Sequence, residues 1–236
     1  MAFSAILIGM AKTGLPGFGI LVIPIFAAIF PAKQSTGLVL PMLIIADLFA
    51  VTYYKRHAIW SHLMRMLPLA AVGVVIGAWA LDHVNDGQLR PIIGTIVLVM
   101  LAANYWRQRK LKEDTAIPKS LWFTVGMGIS AGITTMMANA AGPIMTIYLV
   151  AMRLPKEAFI GTGAWYFCII NCFKVPFSAA QGLITRDSLM ANLAMTPFII
   201  IGALAGIRLV NRIPDHLFTA IVQVLAAIGA LSLFLR

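Results

Sequence analysis

Long apolar runs separated by short polar segments recur from one end of the chain to the other. A helix that crosses the hydrocarbon core of a bilayer needs about 20 predominantly apolar residues, and nearly all of the chain belongs to runs of that kind. The pattern therefore predicts an all-α polytopic membrane protein without a soluble domain. The runs cover residues 2–30, 34–54, 63–82, 90–106, 119–152, 158–178, 188–209 and 215–235.

Two of these runs contain residues that interrupt a helix. Residues 12–19 place three glycines, a proline and a lysine inside the first run, and residues 139–143 place an asparagine, a glycine and a proline inside the fifth. Non-helical backbone at membrane depth is tolerated where protein or a water-filled cavity satisfies its polar groups, and paired interruptions point to a binding site. We therefore predict two helix-break-helix segments that face each other.

A shift of about 124 residues aligns the first part of the chain with the second. It brings Gly37 onto Gly161 and Asp47 onto Asn171. We therefore predict two homologous halves, each with a broken segment followed by three transmembrane helices, a common plan of secondary transporters. The predicted boundaries are residues 1–107 for the first repeat, 108–118 for a cytoplasmic linker and 119–236 for the second repeat.

Positively charged loop residues bear on the direction of the two halves. If each broken segment crosses the membrane once, the halves are parallel and ten of the sixteen loop Lys and Arg residues are cytoplasmic. If each broken segment returns to the side where it began, the halves are inverted and twelve are cytoplasmic. Cytoplasmic loops carry an excess of Lys and Arg, so the charges favour inverted repeats, with parallel repeats as the alternative.

Composition excludes several classes of function. The chain is 61% hydrophobic and 11% charged, with a net charge of +10 that lies mostly between the apolar runs. Positive-inside bias explains this excess, and no basic face with interleaved aromatics indicates nucleic-acid binding. The sequence shows no P-loop, no nucleophilic triad and no metal-ligand spacing among its histidines. We predict no enzymatic activity, no cofactor and no metal.

The apolar stretch Ala2–Met10 at the start of the first run has no basic segment before it, and Lys12 follows it closely. We expect a first membrane segment rather than a cleaved signal peptide. The expected location is the cell (inner or plasma) membrane, crossed several times, with the lipid bilayer and a small anion as partners. A homodimer is an open alternative to a monomer.

The breaks have the chemistry of an anion site. A helix end inside the membrane exposes N–H groups with partial positive charge, glycines let a ligand approach the backbone, and a lysine supplies a full charge. The alternative for Lys12 is that it reaches an interface while the glycines ease helix packing. The predicted substrate-binding residues are Lys12, Thr13, Gly14, Gly17, Gly19, Asn139, Gly142, Asn171 and Lys174.

Asp47 is the one acidic residue deep inside an apolar run. A carboxylate at that depth costs a few kcal/mol unless it is paired or protonated. Its repeat mate is Asn171, and Lys174 lies one helical turn further on. Three roles stay open for Asp47: an ion pair with Lys174, a site for a coupling proton, or a hydrogen bond that only joins two helices.

The residues around the breaks resemble those of the TauE/SafE family of sulfite and organosulfonate exporters. Residues 20–24 and 30–37 after the first break carry the resemblance, and Gly132 with residues 139–143 and 154–156 forms a weaker second copy. The chain has separated glycines where several consecutive ones are common in the family. The resemblance implies a secondary transporter that exports a small sulfur-containing anion, such as sulfite or an organosulfonate. The alternatives are transport of a carboxylate, a non-transporting assembly subunit, or a membrane-embedded enzyme.

Overall fold

The computed structural model describes residues 1–14, 19–110, 121–152, 154–209, 224, 227, 228 and 230–235. Within these residues the regular structure is helical and no strand occurs. Six of the helices are long and apolar enough to cross a membrane, which confirms the predicted all-α polytopic class. The helices are α1 (Ala2–Thr13), α2 (Gly19–Ile29), α3 (Ala32–Tyr54), α4 (Trp60–His83), α5 (Asp86–Lys110), α6 (Leu121–Ala138), α7 (Gly142–Ala151), α8 (Lys156–Ala180) and α9 (Arg186–Leu209).

Both predicted breaks are present in the backbone. α1 ends at Thr13 and α2 begins at Gly19, while α6 ends at Ala138 and α7 begins at Gly142. Three spanning helices, α3 to α5, follow the first broken segment, as expected. Two, α8 and α9, follow the second, and most of the third predicted run, 215–235, lies outside the described residues. α5 continues to Lys110, three residues into the predicted linker.

Side-chain caps fix the starts of two spanning helices. Before α5, the Asn85 amide donates to Gln88 Oε1 and the Gln88 amide donates to Asn85 Oδ1, both at 2.9 Å. Before α9, Thr185 and Ser188 exchange the same pair of bonds at 2.9 and 3.1 Å. Each arrangement is a capping box, which satisfies amide donors that a helix start leaves free. Local sequence therefore sets these two boundaries.

α3 and α8 form the central pair and run antiparallel. At one end, His57 Nε2 lies 3.0 Å from Glu157 Oε2, just after α3 and near the start of α8. At the other end, a Cβ on Gly37 would collide with the backbone of Leu183, just after α8. We call these two ends of the bundle the His57 end and the Leu183 end.

The first helix of each predicted half packs along a helix of the other half, α1 against α9 and α6 against α4. Glycines allow these close contacts. A Cβ on Gly202 would meet the Ile6 carbonyl, and one on Gly132 would meet the Ala70 carbonyl. Small residues at such crossings let two helix backbones approach closely and gain van der Waals contact.

The order of contacts shows that both crossing pairs are parallel. Along α6, Gly128 meets Leu69 and Gly132 meets Gly73. Residue numbers therefore rise together on α4 and α6. The same holds for α1 and α9, where Gly202 meets Ile6 and Gly206 meets Met10 and Thr13.

Candidate functional site

The first break starts from a firmly held helix end. Thr13 is fully buried, and its hydroxyl oxygen lies 3.0 Å from the Gly9 carbonyl oxygen and 2.8 Å from that of Ala203. The Tyr54 hydroxyl donates to the Thr13 carbonyl oxygen at 3.0 Å. The Thr13 side chain therefore joins α1 to α9, and its carbonyl is tied to the last residue of α3.

The second break turns at Asn139. This residue has φ of 54°, a left-handed conformation that asparagine tolerates better than most residues other than glycine. The amides of Asn139 and Ala140 donate to the carbonyls of Thr135 and Thr134, which closes the end of α6. The Asn139 side-chain amide donates to the Thr36 carbonyl oxygen at 3.0 Å, so the turn is fastened to α3.

A chain of buried and half-buried polar side chains connects the two breaks. Lys12 Nζ lies 2.9 Å from Asp47 Oδ1, and Asn171 Nδ2 donates to Asp47 Oδ2 at 2.7 Å. Lys174 Nζ lies 3.4 Å from Asn171 Oδ1 and 2.6 Å from Asn139 Oδ1. Thr135 Oγ1 is a third neighbour of the Lys174 nitrogen at 3.3 Å.

The hypothesis of an ion pair between Asp47 and Lys174 is wrong. Asp47 pairs with Lys12 instead, and the Asn171 side chain lies between Asp47 and Lys174. The physical reason is the break itself. α1 ends next to α3, so the flexible Lys12 side chain reaches the carboxylate, whereas Lys174 extends from α8 toward α6.

The prediction that the two breaks face each other is wrong, because they lie at different levels along α3. The first is tied to α3 at Tyr54 and the second at Thr36. These positions are eighteen residues apart, about 27 Å of helix at 1.5 Å per residue. The first break is therefore near the His57 end and the second near the Leu183 end. The polar chain bridges the distance between them.

A cavity of about 70 Å³ opens beside the first break. This is several times the roughly 10–15 Å³ that one buried water requires. Among the ten described residues that line it, Lys12 is the one charged side chain. The Lys12 nitrogen also lies 3.9 Å from the centre of the Phe167 ring. The lining residues are Lys12, Gly14, Met145, Thr146, Leu149, Phe159, Ile160, Gly163, Ala164 and Phe167.

Lys12 thus stands between a buried carboxylate and an apolar cavity. Its side chain is 14% exposed, whereas that of Asp47 is completely buried. The placement differs from that of a lysine whose head group reaches an interface. An ammonium in this position attracts an anion that enters the cavity.

A comparison with protein-family models decides the family. The model described as "Sulfite exporter TauE/SafE" matches residues 1–233 of the chain. The chain belongs to the TauE/SafE family. A search of the curated proteins and a search of the solved structures found no match.

Membership in the TauE/SafE family gives the broad function. The chain is a multi-pass membrane transporter rather than an enzyme, and its class of substrate is sulfite or a related small anion. The family and the six spanning helices are typical of a plasma-membrane protein. The predicted family and location are confirmed.

The predicted site residues of this TauE/SafE transporter fall into distinct places. Lys12, Asp47, Asn171, Lys174 and Asn139 form the connected chain, and Gly14 lines the cavity. A Cβ on Gly142 would meet open space, and one on Gly19 would come within 3.8 Å of Ala11 Cβ. Gly17 lies outside the described residues.

Sequence reasoning missed three side chains near the polar chain or the cavity. Thr135 contacts Lys174, and Phe167 and Thr146 line the cavity, where Phe167 also contacts Lys12. Thr135 precedes Asn139 by four residues, and helical neighbours at that spacing share a face, so this signal was available. The sequence carried no comparable signal for Phe167, because its contact depends on where α8 meets the end of α1.

Proposed function

We propose that the chain exports a small sulfur-containing anion, such as sulfite or an organosulfonate, and that the anion first binds at Lys12 in the cavity. The observation that carries the proposal is the Lys12 ammonium, the one charged side chain among the described residues that line the cavity, in a chain of the TauE/SafE family. An ammonium in a site of low polarity attracts an anion far more strongly than one in water.

The shape of the cavity suits a compact anion with an apolar side. Phe159, Phe167 and Leu149 supply apolar wall, while Thr146 and Lys12 supply polar contacts. Oxygens of a sulfite or sulfonate group are matched by the ammonium of Lys12, which donates charge-assisted hydrogen bonds. Gly14 removes side-chain bulk where the ligand nears the backbone.

The position of the cavity supports loading from the cytoplasm. It is bordered by the first part of α8, which begins at the His57 end. Lys55 and Arg56 lie at that end, and an excess of Lys and Arg marks the cytoplasmic side. A site filled from the cytoplasm agrees with export.

Inverted repeats remain part of this proposal. α6 runs parallel to α4, which begins at the His57 end. α1 runs parallel to α9, which begins at the Leu183 end. The first helices of the two halves therefore run in opposite directions. Since α3 begins at the Leu183 end and α8 at the His57 end, each broken segment returns to the side where it began.

The bond between Asp47 and Asn171 is the barrier in this proposal. It joins α3 to α8 between Lys12, on the cavity side, and Lys174, on the side of the second break. Rocking of one half against the other would open this contact and pass the anion toward the Leu183 end. Rocking of one repeat against the other is a common way for transporters built from repeats to move their substrates.

A panel of anions tests the proposal in two steps. Purified protein is heated with sulfite, methanesulfonate, thiosulfate or acetate, and the same anions are then followed across liposomes that contain the protein. We expect sulfite or methanesulfonate to stabilise the protein and to cross the membrane, because binding to the folded state raises its stability. Acetate serves as the carboxylate control.

Each result of the panel has a definite meaning. Preference for acetate would support a transporter whose substrate is a carboxylate and not a sulfur-containing anion. Binding without flux would indicate an assembly or receptor subunit. Neither stabilisation nor flux with any of the four anions would overturn the proposed function.

A further inference from the structure

Lys174 is a buried lysine whose hydrogen-bond neighbours, among the described residues, are uncharged. The residue is 1% exposed. The three oxygens around its nitrogen belong to Asn139 at 2.6 Å, Thr135 at 3.3 Å and Asn171 at 3.4 Å. Within the described part of the chain, no carboxylate lies within ion-pair distance of it.

Charged and titratable groups on the surrounding helices do not balance a Lys174 ammonium. Asp47 on α3 is connected to Lys174 through Asn171, and it already pairs with Lys12 of α1. On α4, His62 Nδ1 lies 3.3 Å from the Tyr148 hydroxyl, and Asp82 accepts from Gln181 at the Leu183 end. α8 itself carries Tyr166 and the free thiols of Cys168 and Cys172, and its Glu157 lies at the His57 end beside His57.

The three neighbours suit both protonation states of the amine. As an ammonium, Lys174 has three N–H donors for three oxygen acceptors. As a neutral amine, it donates to Asn139 and Asn171 and accepts the hydroxyl proton of Thr135. Hydrogen bonding therefore does not select one state, so the charge balance of the buried cluster decides.

The empty cluster is balanced when Lys174 is neutral. Lys12 and Asp47 then cancel, and a further unpaired charge in the membrane interior would cost several kcal/mol. An anion that binds Lys12 draws its ammonium toward the cavity and leaves Asp47 without a partner. A proton on Lys174 restores the balance, because Asn171 connects Lys174 to the same carboxylate.

We propose that Lys174 takes up one proton when the transporter binds its anion, so that a monoanion and a proton cross the membrane together. This inference rests on the proposed function of the Lys12 cavity. The buried cluster is then uncharged both when empty and when loaded. Transport in this scheme carries no net charge, and its rate does not depend on the membrane voltage.

Proton uptake on binding is the direct test. Sulfite or methanesulfonate is added to purified protein in weakly buffered, mildly alkaline solution that contains a pH-indicator dye. Methanesulfonate stays ionised and releases no proton of its own, while the titration of free sulfite is subtracted. We expect the native protein to take up about one proton per bound anion, and its affinity to fall by up to about tenfold per pH unit as the pH rises.

Two variants assign the proton to Lys174. Lys174→Gln removes the titrating amine, so proton uptake should disappear. Asn139→Asp places a carboxylate next to Lys174 without changing the size of the side chain. This fixed partner keeps the ammonium charged before the anion arrives, so uptake should disappear here too. Size-exclusion profiles check that both variants fold. The measurement of proton uptake by the native protein does not depend on the variants.

The outcomes separate this inference from the proposed function. If the native protein binds no anion of the panel, the proposed function fails. Anion binding without proton uptake by the native protein would overturn the role of Lys174 alone. Uptake that persists in Lys174→Gln would assign the proton to another group, such as Asp47, and would equally overturn it. Flux that rises with an imposed voltage would contradict the electroneutral co-transport of anion and proton.

Discussion

Lys12 contacts two very different neighbours, the Asp47 carboxylate at 2.9 Å and the Phe167 ring at 3.9 Å. The carboxylate holds the lysine in the protein interior, and the ring adds a cation–π contact of about 0.5–2 kcal/mol. Removing one partner of a buried pair leaves a bare charge and costs about 3–5 kcal/mol. Stability and function therefore have to be separated in any test of Lys12.

A double substitution separates them. Lys12→Met alone should lower the thermal stability of the protein strongly, because Asp47 is left buried without its cation. Lys12→Met combined with Asp47→Asn removes both charges, and the new amide still hydrogen-bonds Asn171, so stability should largely return. Transport should remain lost in both. Heating followed by size-exclusion chromatography measures stability, and liposome flux measures transport.

One outcome of the double substitution would contradict the proposed role of Lys12. A double variant that moves the anion at the native rate would show that the ammonium of Lys12 does not bind substrate. Lys12→Arg is the matched control, since it keeps the charge and the partner. It should stay close to native stability.

Individual helices are positioned by close backbone crossings. Gly132 on α6 and Gly73 on α4 face each other, and Gly9 on α1 faces Gly202 on α9. Lipid tails are as apolar as the side chains, so helix association in a membrane depends on packing rather than on the hydrophobic effect. These crossings place the ends of α1 and α6, and hence both breaks, against α3.

Gly132→Ala should be destabilising. The added Cβ would collide with the Ala70 carbonyl on α4, and forced overpacking costs about 1–3 kcal/mol. We expect the melting temperature in detergent to fall by about 2–4 °C for each kcal/mol. Gly126→Ala on the same helix is the control, because a Cβ there has nothing within 4 Å. Equal melting temperatures for the two variants would contradict the close crossing.

At the scale of the whole molecule, the direction of the two halves is the main prediction still to be tested. Inverted repeats place Glu157 on the cytoplasmic side and Asp187 outside, whereas eight single crossings place them the other way round. Both positions lie next to loop Lys or Arg residues and are exposed. Labelling of single cysteines at these positions therefore distinguishes the two arrangements.

The labelling uses a protein in which Cys168 and Cys172 are replaced by alanine. A membrane-impermeant maleimide added to intact cells should label Asp187→Cys at once. Glu157→Cys should react only after the membrane is permeabilised. The opposite pattern would favour eight crossings and would remove the support that inverted repeats give to alternating access. His57→Cys, which lies close to Glu157, is the cytoplasmic reference.

The sequence allowed most residues of the polar chain to be predicted, but not the contacts between them. Lys12 and Asn139 follow from the two breaks, and Asp47 follows from the cost of a carboxylate in an apolar run. Asn171 is the repeat mate of Asp47, and Lys174 lies one helical turn further on. Their pairing was not predictable, since the sequence does not show which of the two lysines lies next to Asp47. The choice of Lys12 depends on where α1 ends beside α3.

The sequence by itself determined the class of the protein, the number and places of the long helices in the described part, and the two breaks. Apolar length and helix-breaking residues act locally, so they can be read from neighbouring positions. Only the tertiary structure decided which lysine pairs with Asp47, how far apart the breaks lie along α3, and where the cavity opens. These features depend on the crossings of distant helices, whose angle and level are set by close packing between residues far apart in the chain.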